Sequence, residues 1–232
     1  GRVINSNYNT NVVDENMGLA GELNVELGDF TLTSISAWRG WNNKQLQDQD
    51  RLPAAVVGIP QLHDVGKLDF DQLSQEIRLT SPKGEFLDYV LGAFYFHGRN
   101  RENYRRQTTV RTATTTTITS GVADYGVVNK NFAVFGEANL HFSERFRALA
   151  GLRWIHDELS YDFNRVSSSP TPVTGIQTSF KAGGSTVSKD FAGRAGLQFD
   201  LAPRAMVYGT YSRGYKGPAY NPAFSMLPQD TL

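Results

Sequence analysis

The feature that most constrains the fold of this chain is an alternation of apolar and polar residues on both sides of very short turns. From Leu19 to Leu27 the odd positions are apolar or glycine, and the polar residues are confined to the even positions. A period of two predicts a β-strand with one apolar and one polar face. Gly28-Asp29 is a tight-turn signal, so we expect the chain to return over 30–41 as the partner strand.

Three further hairpins follow the same pattern. The predicted strand pairs are 71–80 with 86–100, 131–142 with 146–161, and 189–201 with 204–216. The polar segments between hairpins, which we expect to be long loops, include 42–70, a Thr-rich stretch over 112–119 and a Ser/Pro/Gly-rich stretch over 167–188. Short turns that alternate with long loops are typical of the antiparallel up-and-down β-barrels of bacterial outer membranes.

The third and fourth hairpins predict which face meets lipid. Their apolar stripes take every second residue of 132–142, 146–154 and 191–201. Each stripe is close to the roughly 9–11 residues that a strand needs to cross a bilayer. A soluble β-sandwich would also have one apolar face, so the alternation leaves both interpretations open. The strands of the first two hairpins include stretches that are apolar on both faces, so their faces are not assigned.

The placement of aromatic residues favours the membrane interpretation. Phe142 and Phe146 flank a short turn, and Trp38 and Trp41 precede a predicted loop. Four tyrosines lie along and beyond the last strand, at 208, 211, 215 and 220. Membrane barrels carry such aromatic girdles at both interfaces.

Composition excludes several classes of function. The 232 residues hold 23 basic and 23 acidic side chains and no Cys, which leaves no electrostatic footprint for nucleic acid and no thiolate metal site. The four histidines lie on different predicted elements, and neither a phosphate-binding loop nor a nucleophile elbow is present. We therefore expect no enzyme activity, no cofactor and no metal site.

Three ordered segments resemble the barrel domain of TonB-dependent outer-membrane receptors. They are 75–81 followed by 90–95, 132–139 leading to 149–158, and 207–221. Together they cover most of the predicted strands. The resemblance implies a barrel of about 22 strands closed by an N-terminal plug domain. It also implies that a scarce nutrient binds outside the cell and enters with energy supplied through the TonB complex.

The chain departs from that family in extent. The sequence predicts about eight strands, with no plug sequence and no terminal aromatic strand. We interpret residues 1–232 as part of the β-barrel domain of a TonB-dependent receptor, with the plug domain and the C-terminal strands absent. Periplasmic short turns would put both chain ends outside the cell, which favours an internal piece of a longer barrel. A complete eight-stranded barrel is the alternative.

The resemblance implies a receptor and transporter in the bacterial cell outer membrane. Its ligand would be a ferric siderophore, haem, vitamin B12 or a glycan, which the sequence does not distinguish. The implied partners are outer-membrane lipid, the nutrient and, through the missing plug domain, the TonB complex. A passive porin, a surface-adhesion barrel and a soluble all-β binding domain remain alternatives.

Ligand contacts are expected from residues that face the lumen or lie at the rim. Parity places Arg153, Arg194 and Tyr208 in the lumen, while Arg213 and Tyr215 belong to a rim motif. Arginine can hold a ligand carboxylate bidentately. The alternative is an internal arginine network with Glu137 as a partner, and for the rim motif an aromatic anchor that leads into a loop.

Overall fold

The computed structural model describes residues 6–53 and 57–231, which form one sheet of eight antiparallel strands in chain order. The strands are β1 (Asn11–Leu27), β2 (Phe30–Asp48), β3 (Gln61–Thr80), β4 (Leu87–Arg111), β5 (Thr116–His141), β6 (Phe146–Ser167), β7 (Phe180–Ala202) and β8 (Ala205–Arg213). A short 3-10 helix, Pro228–Thr231, follows β8. The predicted all-β, up-and-down architecture is confirmed. Within the described ranges, no helix has the length and apolar character to span a membrane.

The connections lie alternately at the two ends of the sheet, and the predicted alternation of short turns and long loops fails at 112–115, which has four residues against six in 81–86. The short-turn end of the sheet carries the connections 28–29, 81–86, 142–145 and 203–204, and the long-loop end carries 49–60, 112–115 and 168–179. Gly28 has a φ of 63°, which glycine adopts without a steric penalty, so Leu27 and Phe30 can pair directly across a two-residue turn. In the described residues β1 pairs only with β2 and β8 only with β7, so the sheet is open.

The strands extend much further towards the long-loop end than the sequence predicted. The predicted loop 42–70 shortens to 49–60, of which 54–56 lie outside the described residues. The Thr-rich stretch forms only a turn over 112–115, and β7 begins at Phe180 within the predicted loop 167–188. These extensions carry polar residues on both faces, so the backbone pairing continues where the alternation has disappeared.

The two faces of the sheet have different surroundings. The inner face carries Tyr125 and Phe163, which pack with the loop residues Ile176 and Phe224 in one buried cluster. The outer face is uncovered and carries exposed apolar side chains, among them Leu19, Leu23, Leu73, Ile77, Leu91, Phe132, Leu152 and Leu197. Because the register is continuous, it also assigns the faces of the first two hairpins.

The outer face is bounded by aromatic residues at both ends of its apolar stripes. Near the short turns, Phe142 stacks on Phe146 with ring centroids 5.2 Å apart. Further along the strands, a second row is made of two directly opposed pairs, Tyr95 with Phe132 and Trp154 with Phe191. The stripe between Phe132 and the short turn has about the length that a bilayer crossing requires. Trp38 and Trp41 were both predicted to belong to an aromatic girdle, and Trp38 lies on the outer face.

Trp41 belongs instead to the inner face. Its indole Nε1 donates to Asp14 Oδ1 at 2.9 Å, and Asn43 donates to the same oxygen at 2.7 Å. Trp38 and Trp41 are three residues apart, so a strand places them on opposite faces. Their closeness in sequence therefore does not make a single interfacial girdle.

Candidate functional site

Arg153 lies on the inner face of β6 against two aromatic rings. Its guanidinium carbon is 5.1 Å from the ring centroid of Phe94 and 5.5 Å from that of Phe135. Gly92, opposite Phe135 on β4, has no side chain to collide with that ring. The ion pairs found in the described part of the chain do not include Arg153. It is therefore a cation held by π-faces with its charge uncompensated.

Arg194 on β7 is paired with Glu137 on β5. Its Nε and Nη2 donate to Glu137 Oε2 at 2.8 and 2.5 Å. The pair passes over Gly151 of β6, where an added Cβ would come within 3.3 Å of the carboxylate oxygen and 3.4 Å of Arg194 Cγ. The internal Arg–Glu contact considered from the sequence is therefore present for Arg194. More than half of the arginine side chain is exposed, so the pair contributes only about 0–1 kcal/mol to stability.

The two rim candidates fasten the end of β8 to its neighbours. Arg213 Nη2 donates to both carboxylate oxygens of Asp190 at 2.9 and 3.0 Å, and Nη1 donates to the Phe191 carbonyl at 3.0 Å. The Tyr215 hydroxyl donates to Asp157 Oδ2 at 3.3 Å. Asp157 is buried on β6 and also accepts a hydrogen bond from Asn129 at 3.2 Å. Both rim residues have structural partners.

Three of the five predicted site residues converge. Arg153, Arg194 and Arg213 line one cavity of about 340 Å³ on the inner face, together with Glu137. Tyr208 lies apart, in a cavity of about 650 Å³ nearer the short turns that is also lined by Asp88, His141, Arg147 and Gln198. Tyr215 lines neither cavity. Of these three arginines, Arg194 is paired with Glu137 and Arg213 with Asp190, whereas no ion pair of the described residues includes Arg153.

A second inner-face cluster lies near the long-loop end and was missed from the sequence. Asp64 on β3 is buried and accepts hydrogen bonds from Arg106 Nε at 2.8 Å and Nη2 at 2.6 Å, both from β4. The Tyr104 hydroxyl donates to the same carboxylate at 2.5 Å. Burial and this hydrogen bond raise the pKa of Tyr104 to about 12. The bonds to Asp64 raise the pKa of Arg106, so the guanidinium stays charged.

Arg165 joins this cluster to the segment that follows β8. The side chain is almost fully buried, and its Nη1 donates to the carbonyls of Phe224 at 2.7 Å and Met226 at 2.8 Å. Its Nε donates to the Thr178 carbonyl at 2.9 Å. Desolvation lowers the pKa of this guanidinium, and all three of these hydrogen bonds go to backbone oxygens. We call residues 220–226 the strap, because they lie across the inner face.

Contacts of two aromatic residues hold the strap against β4 and β6. The Phe224 ring lies 5.1 Å from Tyr104 and 5.4 Å from the Arg106 guanidinium. Tyr220 packs on Tyr161 with centroids 4.5 Å apart. Tyr125 donates to Glu102 at 2.7 Å, and burial raises its pKa strongly. The inner face at this end is therefore an aromatic surface with buried, paired charges.

Comparison with known proteins identifies the family of the chain. A family model described as the TonB dependent receptor-like beta-barrel matches residues 2–229. The chain belongs to the TonB-dependent receptor barrel family. The proteins of this family are transport receptors of the bacterial outer membrane. A comparison with curated proteins gave no match.

Solved structures share the fold of this TonB-dependent receptor barrel. The ferric yersiniabactin uptake receptor FyuA from Yersinia pestis matches 96% of the chain with a TM-score of 0.69 and 18% identity. The siderophore receptor PiuA from Acinetobacter baumannii matches 88% with a TM-score of 0.59 and 13% identity. The ferric-catecholate import receptor Fiu from Escherichia coli, in its open form, matches 91% with a TM-score of 0.58 and 12% identity. The chain spans 32%, 32% and 37% of these three proteins, respectively.

One group in this receptor barrel brings potential metal ligands together. Asp48, Asp50 and His63 offer ligand atoms within 4.8 Å of one another at the long-loop end. These atoms already have partners: Asp48 Oδ2 accepts from the Ser6 hydroxyl at 2.6 Å, and His63 Nε2 lies 3.0 Å from Asn7 Oδ1. Internal hydrogen bonds therefore account for the arrangement without an ion.

The strand register explains why the sequence did not predict the cluster around Asp64. Asp64 and Arg106 are 42 residues apart in sequence, and only the pairing of β3 with β4 makes them partners. Both fall where the sequence predicted loop. The aromatic residues of the strap likewise lie outside any period-two pattern. The one available signal was the alternation of Tyr161 and Phe163 on the inner parity of β6.

Proposed function

We propose that this chain forms part of the wall of an outer-membrane receptor that takes up a nutrient with energy from the TonB complex. In this proposal residues 1–232 supply eight strands of a larger barrel, and a plug domain and further strands belong to the rest of the protein. The family match over 2–229 carries the proposal. The exposed apolar outer face opposes the soluble all-β alternative, because burying that surface in lipid removes it from water.

The proposed ligand is an anionic nutrient complex such as a ferric siderophore. FyuA is a ferric yersiniabactin uptake receptor, PiuA is a siderophore receptor and Fiu is a ferric-catecholate import receptor. In this chain the supporting feature is the inner-face cavity, where Arg153 holds no carboxylate partner among the described residues and Arg194 and Arg213 lie alongside. A ligand carboxylate or catecholate oxygen would compensate the remaining charge. Tyr208 and Tyr215 are proposed as further contacts along the path.

Uptake of a radiolabelled ferric siderophore by iron-starved cells tests the proposal. Cells that carry the full-length wild-type protein should accumulate iron, and a protonophore or loss of TonB should abolish the accumulation. Accumulation that persists without energy would instead establish a passive porin. The flanking reading frame provides an independent test, because a plug domain of on the order of 100–150 residues should be encoded upstream.

Arg153→Gln tests the role of the cavity. We expect weaker uptake at limiting ligand and a normal amount of protein in the outer membrane, because the substitution removes charge from a wall position. Arg99→Gln is the matched control, since Arg99 lies on the outer face in an exposed pair with Asp71 at 3.3 Å. Equal uptake by the two variants would remove Arg153 from the proposed site.

A further inference from the structure

Asp157, on the inner face of β6, is a buried carboxylate with no cationic partner among the described residues. Its side chain is 5% exposed. Asn129 donates to Oδ1 at 3.2 Å, and the Tyr215 hydroxyl donates to Oδ2 at 3.3 Å. Both donors are neutral, and both bonds are longer than the about 2.5–2.9 Å of strong hydrogen bonds to a carboxylate. The ion pairs of the described chain do not include Asp157.

Another buried carboxylate of the same face is treated differently. Asp64 is 1% exposed and receives two bonds from the Arg106 guanidinium, at 2.8 and 2.6 Å. An ionised carboxylate that leaves water is costly unless a cation and further hydrogen bonds compensate it. Arg213, at the end of β8, binds both oxygens of Asp190 instead of Asp157. Asp157 therefore calls for a cation from solution.

The strands on either side of Asp157 carry neutral oxygen ligands. Asn131 on β5 and Ser188 on β7 are its direct partners in register. Direct partners share one face of the sheet, with their Cβ atoms about 4.5–5.5 Å apart. Carboxylate and amide oxygens, completed by water, are the ligands that Ca²⁺ takes in flexible geometry. Because these three side chains contain neither imidazole nor thiolate, the set favours Ca²⁺ over Zn²⁺.

The segment that follows β8 closes over the carboxylate. A Cβ added to Gly217 would collide with Asp157 Oδ2 and would come within 3.4 Å of the Tyr215 hydroxyl. Only glycine therefore lets the backbone approach Asp157 so closely. A cation at Asp157 would tie β5, β6 and β7 together beneath residues 213–217, which lead directly into the strap.

We propose that Asp157 is the anionic ligand of a calcium site in which Asn131 and Ser188 supply further oxygen atoms. The inference goes beyond nutrient uptake and depends only on the fold of this part of the barrel. A single carboxylate gives a site of low affinity, comparable with the dissociation constants of about 10⁻⁴–10⁻³ M of extracellular calcium modules. Bound calcium fixes residues 213–217 and, through them, the start of the strap.

Terbium luminescence of the full-length protein in detergent tests this proposal. The protein is first stripped with a chelator, and terbium is then added as a calcium analogue while tyrosine is excited. Because the Tyr215 hydroxyl lies 3.3 Å from Asp157, terbium bound at this carboxylate should be sensitised. We expect a saturable signal that calcium displaces and that sodium at the same concentration leaves unchanged.

Variants locate the ion. Asp157→Asn should weaken calcium binding by more than about 100-fold, and Asn131→Ala should weaken it by about tenfold. Asp162→Asn is the matched control, because Asp162 is an exposed acid on the outer face of the same strand. Asp48→Asn separates any signal from the group of Asp48, Asp50 and His63. Slower migration of heated than of unheated protein confirms that each variant is folded.

Hydrogen exchange provides a second measurement on the same proteins. Calcium should slow the exchange of residues 213–226 in the wild type and should have no effect on these residues in Asp157→Asn. Neither measurement requires uptake, so failure of the calcium site is distinguished from failure of the proposed transport.

Three results would overturn the proposal. The first is a wild-type protein without saturable calcium binding, and the second is equal binding by Asp157→Asn and Asp162→Asn. The third is calcium binding that is lost in Asp48→Asn and retained in Asp157→Asn, because the ion would then lie at the long-loop end.

Discussion

At the scale of single residues, Arg165 shows how a buried cation can organise a loop. Its donors meet three carbonyl oxygens, from Thr178, Phe224 and Met226, and its guanidinium lies 5.5 Å from the Phe163 ring centroid. A hydrogen bond to a charged group typically contributes about 1.5–3 kcal/mol. Two of these three carbonyls belong to the strap, so Arg165 ties the strap to β6.

Replacing Arg165 with Met should release the strap. The substitution leaves buried carbonyls without donors, so we expect the free energy of local opening to fall by about 3 kcal/mol or more. Hydrogen exchange of residues 220–226 in the full-length protein measures this directly. Arg204→Met, in the exposed turn between β7 and β8, is the control and should leave exchange unchanged. Unaltered protection in Arg165→Met would show that the aromatic contacts hold the strap alone.

Tyr104 predicts a response to alkaline pH. Its pKa is raised to about 12 from an ordinary value of 10.0, first by burial and then by the Asp64 hydrogen bond. A raised pKa means that the neutral phenol is favoured in the folded protein. Its stabilising contribution is therefore complete below about pH 10 and is lost as the pH rises through about 12.

Ultraviolet titration of tyrosinate should show this late ionisation. Tyr104→Phe should remove one late-titrating group, whereas Tyr211→Phe on the exposed outer face should leave the late step intact. The strap should also become more accessible to protease over the same pH interval, because Phe224 packs on Tyr104. A titration of Tyr104→Phe identical to that of the wild type would contradict this assignment.

Parity predicted the direction of individual side chains but not their partners. Arg153, Arg194 and Tyr208 all lie on the inner face, as the alternation predicted. The sequence offered Glu137 as a partner for an arginine, and Arg194 is the residue that binds it. The aromatic cradle of Arg153 depends on β4 lying beside β5, which no local pattern specifies.

At the scale of the strand, a lysine introduced on the outer face should destabilise the protein far more than one introduced on the inner face. Ala150 lies on the outer face near the middle of the apolar stripe of β6, while the adjacent Leu149 lies on the inner face and lines the larger cavity. Ala150→Lys should destabilise the protein folded in lipid vesicles by about 2–4 kcal/mol. Leu149→Lys should have a much smaller effect, because its side chain meets polar groups.

Denaturant unfolding of the full-length protein from vesicles provides the measurement. Comparable losses for both variants would mean that the outer face does not meet lipid.

The strand ends were harder to predict from the sequence than the strand centres. The sequence pattern located part of every strand, but β2 continues to Asp48 and β3 begins at Gln61, where polar residues occupy both faces. Backbone pairing needs no apolar stripe, so those extensions carried no signal.

At the scale of the whole molecule, the sheet combines three surfaces of different chemical character. The outer face is apolar between aromatic rows, the inner face is polar with an arginine-lined cavity, and the strap covers the inner face near the long-loop end. In the proposed receptor, a ligand that passes along the inner face meets the strap region before the arginines. The strap therefore lies in the path that connects the outside with the cavity.

The open edges predict the behaviour of the chain when it is produced alone. In the described residues, β1 and β8 each have one side without a strand partner, and every residue of both strands is exposed. Unpaired backbone groups cost several kcal/mol each in lipid, and open edges in water pair with other chains. Residues 1–232 alone should therefore aggregate after refolding, whereas the full-length protein should refold into detergent as a discrete species. Sedimentation velocity measures the size distribution of both proteins. A monodisperse monomer of the isolated chain in detergent-free buffer would instead support the soluble all-β interpretation.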